Sequence, residues 1–266
     1  MARPVKLFQV DAFTDKLFGG NPAAVCVLEE WLPQDTLQKI AAENFLPETA
    51  FFVPSPGNAH FELKWFTPEI EMDLCGHATL ASAHVIFNHL NIQAPEIVFH
   101  SRSGNLKAAR NKNLITLDFP SREPLPATLP EIIEKGIGIK PLEILKARDY
   151  VLVYESEHLI KNIAPDRSIL DQVNIDPGGI IVTAKGKTAD FVSRFFTPQA
   201  GIFEDPVTGS AHCSLIPYWS KKLNKKEMTA LQLSARQGKL YCVDHGERVL
   251  ISGEAKTFFE GNIYLD

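Results

Sequence analysis

Short apolar runs and longer helical patterns follow the same order in both halves of the chain. Runs rich in β-branched and aromatic residues predict strands, and apolar positions spaced three or four apart predict helices. In the first half the predicted strands are 6–11, 23–28, 50–53, 61–66, 97–100, 106–110 and 114–119. In the second half they are 150–154, 180–183, 191–196, a run near 231, 239–243, 249–252 and 262–265. Helices are predicted at 32–43, 76–90, 168–173 and 209–223.

The two halves are also related by sequence. F-E-L-K-W-F-T-P at 61–68 returns as F-V-S-R-F-F-T-P at 191–198, a shift of 130 residues. Further on, S-R-S-G-N-L-K at 101–107 matches A-R-Q-G-K-L-Y at 235–241 with a shift of 134 residues. The extra residues therefore enter between the second F-T-P and the helix after it. Two long copies indicate duplicated domains rather than a solenoid.

A polar, proline-rich segment at 121–130 is the natural linker between the copies. We accordingly assign one domain to residues 1–122 and a second to 123–266, and allow the last strand to return to the first domain. The helix predicted at 76–90 is apolar around most of its surface, which is typical of a helix inside a curled sheet. The pattern predicts an α+β fold of two domains, each with many strands around one helix.

Composition narrows the class of protein. The 266 residues are 45% hydrophobic and 22% charged, with a net charge of -5, which suits a globular enzyme without a nucleic-acid or membrane partner. The start of the chain lacks the features of a signal peptide, so we expect a cytoplasmic protein. Four widely spaced cysteines indicate neither a disulfide framework nor a zinc site. Four histidines show no metal-ligand pairing that also supplies a third ligand, and we expect most of them at the surface or at helix ends: His84, His89, His158 and His212.

Two similar loops lead into the long helices. They read D-L-C-G-H-A-T at 73–79 and E-D-P-V-T-G-S-A-H at 204–212, so that Gly76 matches Gly209 and His77 matches Ser210. Glycine lets a backbone approach a ligand closely, and the free N–H groups that begin a helix attract anions. Taken singly, each loop could be a tight turn with an ordinary N-cap. As a matched pair they favour a site for a small carboxylate.

The copies differ at two positions that could carry chemistry. Aligned on F-T-P, Cys75 falls on Asp205, whereas a racemase with two thiol bases needs a cysteine at both. Cys75 alone is more often a small buried side chain, and Asp205 is either a turn residue or part of a site.

At a shift of 130, Glu48 falls on Gly178, so the scaffold does not require a carboxylate there. A glutamate against Phe45, Phe51 and Phe52 would be desolvated, which suits a group that takes and returns a proton. The alternative is a solvated carboxylate at the end of a strand. We interpret Glu48 as the base.

Five motifs in this order resemble the phenazine-biosynthesis-like family, typified by the PhzF isomerase. They are V-D-A-F-T, G-G-N-P-A-A-V, L-P-E-T-A-F-F, W-F-T-P-E-I-E-M-D-L-C-G-H-A-T-L-A-S-A and E-D-P-V-T-G-S-A-H. The resemblance spans nearly the whole chain and implies a diaminopimelate epimerase-like fold, in which each domain is a β-barrel-like sheet around a central helix. It also implies an isomerase without cofactor or metal, a site between the domains, and a homodimer. The cysteine before G-H is more typical of the broad bacterial and eukaryotic group than of the phenazine makers.

Carried over residue by residue, the resemblance places the catalytic glutamate at Glu48, and the site histidine, aspartate, glycine and serine at His77, Asp205, Gly209 and Ser210. We assign catalytic roles to Glu48, Asp205 and His77, and substrate-binding roles to Gly76, Gly209, Ser210 and Asn21. The leading hypothesis is an isomerase in which Glu48 moves a proton on a small carboxylic acid. The alternatives are a two-thiol racemase or epimerase that uses Cys75, and a protein that binds a small molecule or a protein without turnover.

Overall fold

The computed structural model describes residues 3–90, 92–175, 178–199 and 201–265. The chain forms two compact units: one ends at Asp118 and takes up the chain again from Ser252, and the other is Phe119–Ile251. The domain boundary at 122 stays a prediction. Within the described ranges, no helix is long and apolar enough to cross a membrane.

The elements follow the order that the sequence predicts, with several short additions. The first are β1 (Arg3–Ala12), β2 (Asn21–Val27), α1 (Gln34–Asn44), β3 (Glu48–Pro54), β4 (His60–Phe66), β5 (Glu71–Met72), α2 (Gly76–His89), β6 (Glu96–Ser101), β7 (Gly104–Asn111) and β8 (Leu114–Pro120). Next come β9 (Leu125–Pro126), α3 (Glu131–Ile137), β10 (Glu143–Lys146), β11 (Tyr150–Val153), α4 (Glu157–Asn162) and α5 (Arg167–Leu170). The last are β12 (Ile180–Lys185), β13 (Phe191–Phe196), β14 (Glu204–Asp205), α6 (Gly209–Leu223), β15 (Glu227–Gln232), β16 (Gly238–His245), β17 (Arg248–Gly253) and β18 (Ala255–Leu265).

The first unit is a mixed sheet that surrounds α2. Its parallel pairs are β2 with β3 and β4 with β6, and its antiparallel pairs include β1 with β2, β3 with β4 and β6 with β7. β18 pairs with β1 along its whole length. α2 packs against β1, β2, β3, β7 and β18. All of its residues except His84, Asn88 and His89 are buried, which confirms the predicted helix inside a curled sheet.

The second unit repeats this pairing around α6. β11 pairs parallel with β12 and β13 parallel with β15, while β12 with β13 and β15 with β16 are antiparallel. Inside the unit, Trp219 of α6 stacks on Phe191 with 5.8 Å between ring centroids, and its Nε1 donates to Thr183 Oγ1 at 2.9 Å. The duplicated α+β architecture predicted from the sequence is therefore present.

Strand register corrects one of the equivalences drawn from the sequence repeat. Thr49 lies opposite Phe66 in the first unit, and Ile180 lies opposite Phe196 in the second. With the two phenylalanines matched, Glu48 therefore corresponds to Gly179 rather than to Gly178. A Cβ on Gly179 would lie 2.4 Å from the Phe195 ring, so the second copy has no space there for a larger residue.

The equivalence of Cys75 with Asp205 also changes when strand pairing is used to match the two copies. Phe66 lies opposite Glu71 and Phe196 opposite Glu204, so the insertion has already entered before the helices begin. Cys75 is the N-cap of α2 and Thr208 is the N-cap of α6. Cys75 therefore corresponds to Thr208, and the alignment of Cys75 with Asp205 was wrong. A second thiol would be sought at Thr208, where none is present.

The proline-rich segment 121–130 is bonded to the second unit. The backbone N–H of Ser121 donates to Glu247 O, and that of Ala127 donates to Ile144 O. The Arg122 N–H donates to the carbonyl of Cys213 in α6. The composition of the segment predicts no long helix or strand, and these hydrogen bonds determine the path of its backbone.

Candidate active site

Two adjacent strands place Asn21 and Glu48 at the same end of the first sheet. Asn21 begins β2 and Glu48 begins β3, and the parallel register puts Ala23 opposite Glu48. Asn21 is fully buried, and the Glu48 side chain is 15% exposed. The turn before Asn21 requires glycine, because Gly20 has φ +61° and a Cβ there would lie 2.0 Å from Ala12 O.

The start of α2 brings His77 to these two residues. The His77 side chain is buried, with Nε2 3.1 Å from Glu48 Oε2. On the other side of the ring, Nδ1 lies 3.1 Å from the Asn21 side-chain amide and 3.5 Å from Cys75 Sγ. The contact with Glu48 is an ion pair, and neither of its two atoms has another polar partner among the described residues. Four residues from three parts of the sequence thus form one buried polar cluster.

Burial and charge act against each other on the two titratable neighbours of Glu48. Burial by itself lowers the pKa of His77, while the charges of Cys75 and Glu48 raise it, and the net direction is well upward. Burial raises the pKa of the Cys75 thiol, and the Glu48 carboxylate raises it further. Where the thiol is neutral, the Glu48 carboxylate is the remaining charge that raises the pKa of His77. The cluster therefore couples an imidazole, a carboxylate and a thiol.

A protonated His77 has consequences for Asn21. Both ring nitrogens then donate, so the Asn21 side chain satisfies Nδ1 only by presenting its amide oxygen. The neutral ring instead accepts from the amide nitrogen. Asn21 therefore follows the charge of His77 and holds the ring in place in either state.

The aromatic surroundings expected for Glu48 are only partly present. Phe45 is 84% exposed and adopts a left-handed conformation at the end of α1, so it does not cover the carboxylate. Phe51 and Phe52 are buried, and Phe51 belongs to a cluster with Leu37 and other residues of the α1 side. The expectation of an aromatic cover was wrong for Phe45. The immediate surroundings of the Glu48 carboxylate are instead polar.

In the second unit, Asp205 ends β14 just before the turn into α6. Its Oδ2 accepts a 2.5 Å hydrogen bond from Thr208 Oγ1, and its backbone carbonyl accepts from Gln232 Nε2 at 2.8 Å. Gln232 Oε1 accepts from the Thr208 N–H at 2.8 Å. Asp205 thus helps to shape the loop, as expected for a turn aspartate, and a further role stays a prediction.

Gln232 was missed by the sequence analysis, although the strand carries a signal. In E-M-T-A-L-Q of β15, Met228, Ala230 and Gln232 alternate onto the buried face. A fully buried glutamine on such a face needs hydrogen-bond partners, and here it finds them at Asp205 and Thr208.

The helix starts are free of N-cap side-chain bonds. Neither Cys75 nor Thr208 accepts a backbone N–H of its own helix. Gly76 and Gly209 are buried, and Ser210 is half-buried in the first turn of α6. A helix start without an N-cap side-chain bond favours an anion, with the helix dipole in support. In α2 the Ala78 N–H already faces the Cys75 thiol.

His212 differs from its prediction as a surface or capping residue. It is fully buried, and its Nδ1 donates to Thr208 O at 2.7 Å. Burial lowers its pKa to about 4, so the ring is neutral at pH 7. It supports the start of α6 from inside the unit.

One group of side chains could hold a metal ion. Among the residues that the structure describes, Glu48, Cys75 and His77 each offer a ligand atom within 4.8 Å of the others. The spacing of cysteines and histidines along the sequence did not reveal this group, because its carboxylate comes from a separate strand.

The structure brings together Asn21, Glu48 and His77 with Gly76 in the first unit. In the second unit it brings together Asp205, Gly209 and Ser210 around one helix start. The catalytic and substrate-binding roles of these seven residues stay predictions.

Comparison with known proteins gives matches that cover nearly the whole chain. A family model described as phenazine biosynthesis-like protein matches residues 10–261. A Pseudomonas aeruginosa protein named an uncharacterized isomerase is 47% identical over 259 residues, which cover 97% of this chain and 98% of that protein. The crystal structure of a phenazine biosynthesis protein of the PhzF family from Enterococcus faecalis superposes with a TM-score of 0.94 at 45% identity, covering 99% of this chain and 100% of that one.

A more distant structure shows the fold alone. A hydroxyproline epimerase from Agrobacterium vitis has a TM-score of 0.63 at 11% identity, and the match covers 99% of this chain and 93% of the epimerase. At 11% identity the match shows that the epimerase and this chain share an architecture, and it assigns no role to any residue. Taken together, the family model, the isomerase relative and the superposed structure show that this chain belongs to the phenazine biosynthesis-like family.

Proposed function

We propose that the protein is a cofactor-independent isomerase in which Glu48 removes a proton from a carbon of a small carboxylic acid and returns it elsewhere. The observation that carries this proposal is the buried Glu48–His77 pair, with 3.1 Å between Oε2 and Nε2. The name of the Pseudomonas relative as an isomerase supports the reaction class.

The pair suits proton transfer in both directions. In the proposed cycle the Glu48 carboxylate accepts the substrate proton while His77 holds it in position. The protonated Glu48 then returns that proton to another carbon of the substrate. A positioned acid–base group of this kind contributes about 10²–10⁴-fold in rate.

The remaining predicted residues bind and orient the substrate in this proposal. Gly76 and Gly209 begin helices whose free N–H groups and dipoles attract a carboxylate. Ser210 adds a hydroxyl, Asn21 holds His77 and approaches the substrate, and Asp205 orients or polarises it.

A racemase or epimerase with two thiol bases is a weaker candidate. Cys75 is present in the cluster, but its structural equivalent is Thr208, which is committed to Asp205. This candidate predicts that Cys75→Ala abolishes proton exchange while Glu48→Gln does not. A binding protein without turnover predicts ligand-induced thermal stabilisation and no exchange in any variant.

The experiment that tests the proposal measures solvent deuterium uptake. The protein is incubated in D₂O with a panel of small cyclic and amino carboxylic acids, and deuterium incorporation is followed by mass spectrometry. Glu48→Gln keeps the shape of the side chain and removes the base, and Glu43→Gln is the matched control because Glu43 is exposed on α1.

We expect uptake in the wild type and in Glu43→Gln, and a loss of about 10²-fold or more in Glu48→Gln. Full uptake by folded Glu48→Gln contradicts the assignment of the base. A panel member that stabilises the protein without exchanging identifies the binding alternative instead.

A homodimer in the cytoplasm completes the proposal. β18 exposes Phe258, Phe259 and Tyr264. The ring of Phe258 makes an edge contact with the ring of exposed Phe18, with 5.7 Å between the ring centroids. An exposed aromatic patch of this kind is typical of an interaction surface. The four cysteines are free, as in a reducing compartment. A monomeric mass by light scattering at micromolar concentration would contradict the dimer.

A further inference from the structure

We propose that Glu48, Cys75 and His77 bind a thiophilic divalent cation such as Zn²⁺, and that the bound ion switches off proton transfer at this site. One ligand atom from each residue lies within 4.8 Å of the other two. The set combines a thiol, an imidazole and a carboxylate, which are the three ligand types that zinc takes in proteins.

The distance between Cys75 and His77 fits a tetrahedral ion. Zinc bond lengths of about 2.3 Å to sulfur and 2.0–2.1 Å to nitrogen place a sulfur and a nitrogen ligand about 3.6 Å apart. Cys75 Sγ and His77 Nδ1 are 3.5 Å apart. For nitrogen and oxygen ligands the same bond lengths give about 3.4 Å, a separation from Nδ1 that Glu48 must turn to reach, since its Oε2 now lies 3.1 Å from Nε2.

One movement is required. Cys75 faces Nδ1 of the ring and Glu48 faces Nε2, so an ion takes one nitrogen and the ligand on the other side must turn toward it. Glu48 has three side-chain torsions and is the more exposed of the two, so we assign the movement to Glu48 and the coordination to Nδ1. Three protein ligands leave the fourth position open to water or a substrate group.

Cation binding has a defined proton balance. The ion takes the places of the thiol proton of Cys75 and of the proton on the coordinating nitrogen of His77, so that two protons leave the imidazolium form of the cluster. Glu48 binds as the carboxylate and releases none. Metal affinity therefore increases with pH, as for other sites that bind through deprotonated ligands.

The switch rests on the proposed function, since a Glu48 carboxylate that coordinates an ion cannot accept a substrate proton. Binding itself does not rest on it. The cluster also gives Cys75 a role that its structural equivalent Thr208 cannot fill. The competing interpretation is a hydrogen-bonded Cys75–His77–Glu48 cluster that takes no ion.

The test uses Co²⁺ as a spectroscopic substitute for Zn²⁺. A tetrahedral cobalt site with one thiolate gives d–d bands in the visible and a sulfur-to-cobalt charge-transfer band in the near ultraviolet. Wild type, Cys75→Ala and Glu48→Gln are titrated with Co²⁺ after treatment with a chelator, and Zn²⁺ is then added in competition. Cys26→Ala is the matched control, because Cys26 is a buried thiol of the same unit outside the cluster.

We expect one Co²⁺ per chain in the wild type and in Cys26→Ala, with both bands displaced by Zn²⁺. Cys75→Ala loses the charge-transfer band, and Glu48→Gln binds at least about tenfold more weakly. Circular dichroism verifies that each variant is folded. Wild type without bands, or a charge-transfer band that survives in Cys75→Ala, overturns the site.

The deuterium experiment separates this inference from the proposed function. Exchange that Zn²⁺ abolishes in the wild type supports the switch, and exchange that persists with the ion bound overturns it while leaving the isomerase proposal intact. Cobalt bands in a protein without exchange on any substrate support the metal site and count against the isomerase.

Discussion

Lowering the pH from 7.5 to 5 should destabilise the folded protein through one buried histidine. His212 has no exposed surface, and its Nδ1 donates to the Thr208 carbonyl at the start of α6. Over the described part of the chain, its Nε2 has no hydrogen-bond partner. Protonation would therefore place an unpaired charge inside the second unit.

The pKa of His212 gives the size of the effect. Burial lowers it to about 4, compared with about 6.5 in the unfolded chain. The unfolded state thus binds the proton more tightly, so stability is complete above pH 6.5 and decreases as the pH falls toward 4. The loss is about 2 kcal/mol at pH 5 and about 3 kcal/mol below pH 4.

The assay compares urea unfolding of the wild type and His212→Asn at pH 7.5 and pH 5.0. The asparagine amide can still donate to Thr208 O and does not titrate, so packing losses in the variant are the same at both pH values. Burial also lowers the pKa of His84 to about 4, and this contribution cancels because both proteins carry His84.

We expect the free energy of unfolding to fall by about 2 kcal/mol more in the wild type than in His212→Asn between these two pH values. The result that refutes the reasoning is parallel behaviour, with losses that agree within about 0.5 kcal/mol. The protonated ring would then have found a partner or solvent.

Two further substitutions test the scaffold by thermal and urea unfolding. Gly179→Ala should destabilise by about 1–3 kcal/mol, because its Cβ would lie 2.4 Å from the Phe195 ring; an unchanged unfolding midpoint contradicts this. Arg194→Met should cost about 3–5 kcal/mol, since it leaves Glu204 without a guanidinium bonded at 2.7 and 2.9 Å. Adding Glu204→Gln should recover part of that loss, and a double variant as unstable as the sum of both single variants speaks against the pairing.

The sequence determined the elements and their duplication. The aromatic and β-branched runs of β4 and β13 and the apolar helix predicted at 76–90 are local properties, because they depend on residues a few positions apart. The repeat of F-T-P then predicted that both halves share one pairing order. The pairings observed in the two units agree with that prediction.

The sequence did not determine the register, that is, which residues of the two copies are structurally equivalent. The repeat placed the insertion only somewhere between Pro198 and α6, so alignment on F-T-P matched Cys75 with Asp205. The strand pairing and the helix start match Cys75 with Thr208 instead. A shift of one or a few residues leaves composition and periodicity almost unchanged, so only the hydrogen-bonded partners decide it.

The candidate site shows the same division. Glu48 stood out because one copy has a carboxylate and the other a glycine, and His77 because it follows a glycine at a helix start. Their contact, and the approach of Asn21 and Cys75, depend on the parallel pairing of β2 with β3 and on α2 packing against that sheet. The sequence shows which side chains are chemically able to act. Their distances, burial and charge coupling arise from long-range packing, which residues adjacent in the chain do not specify.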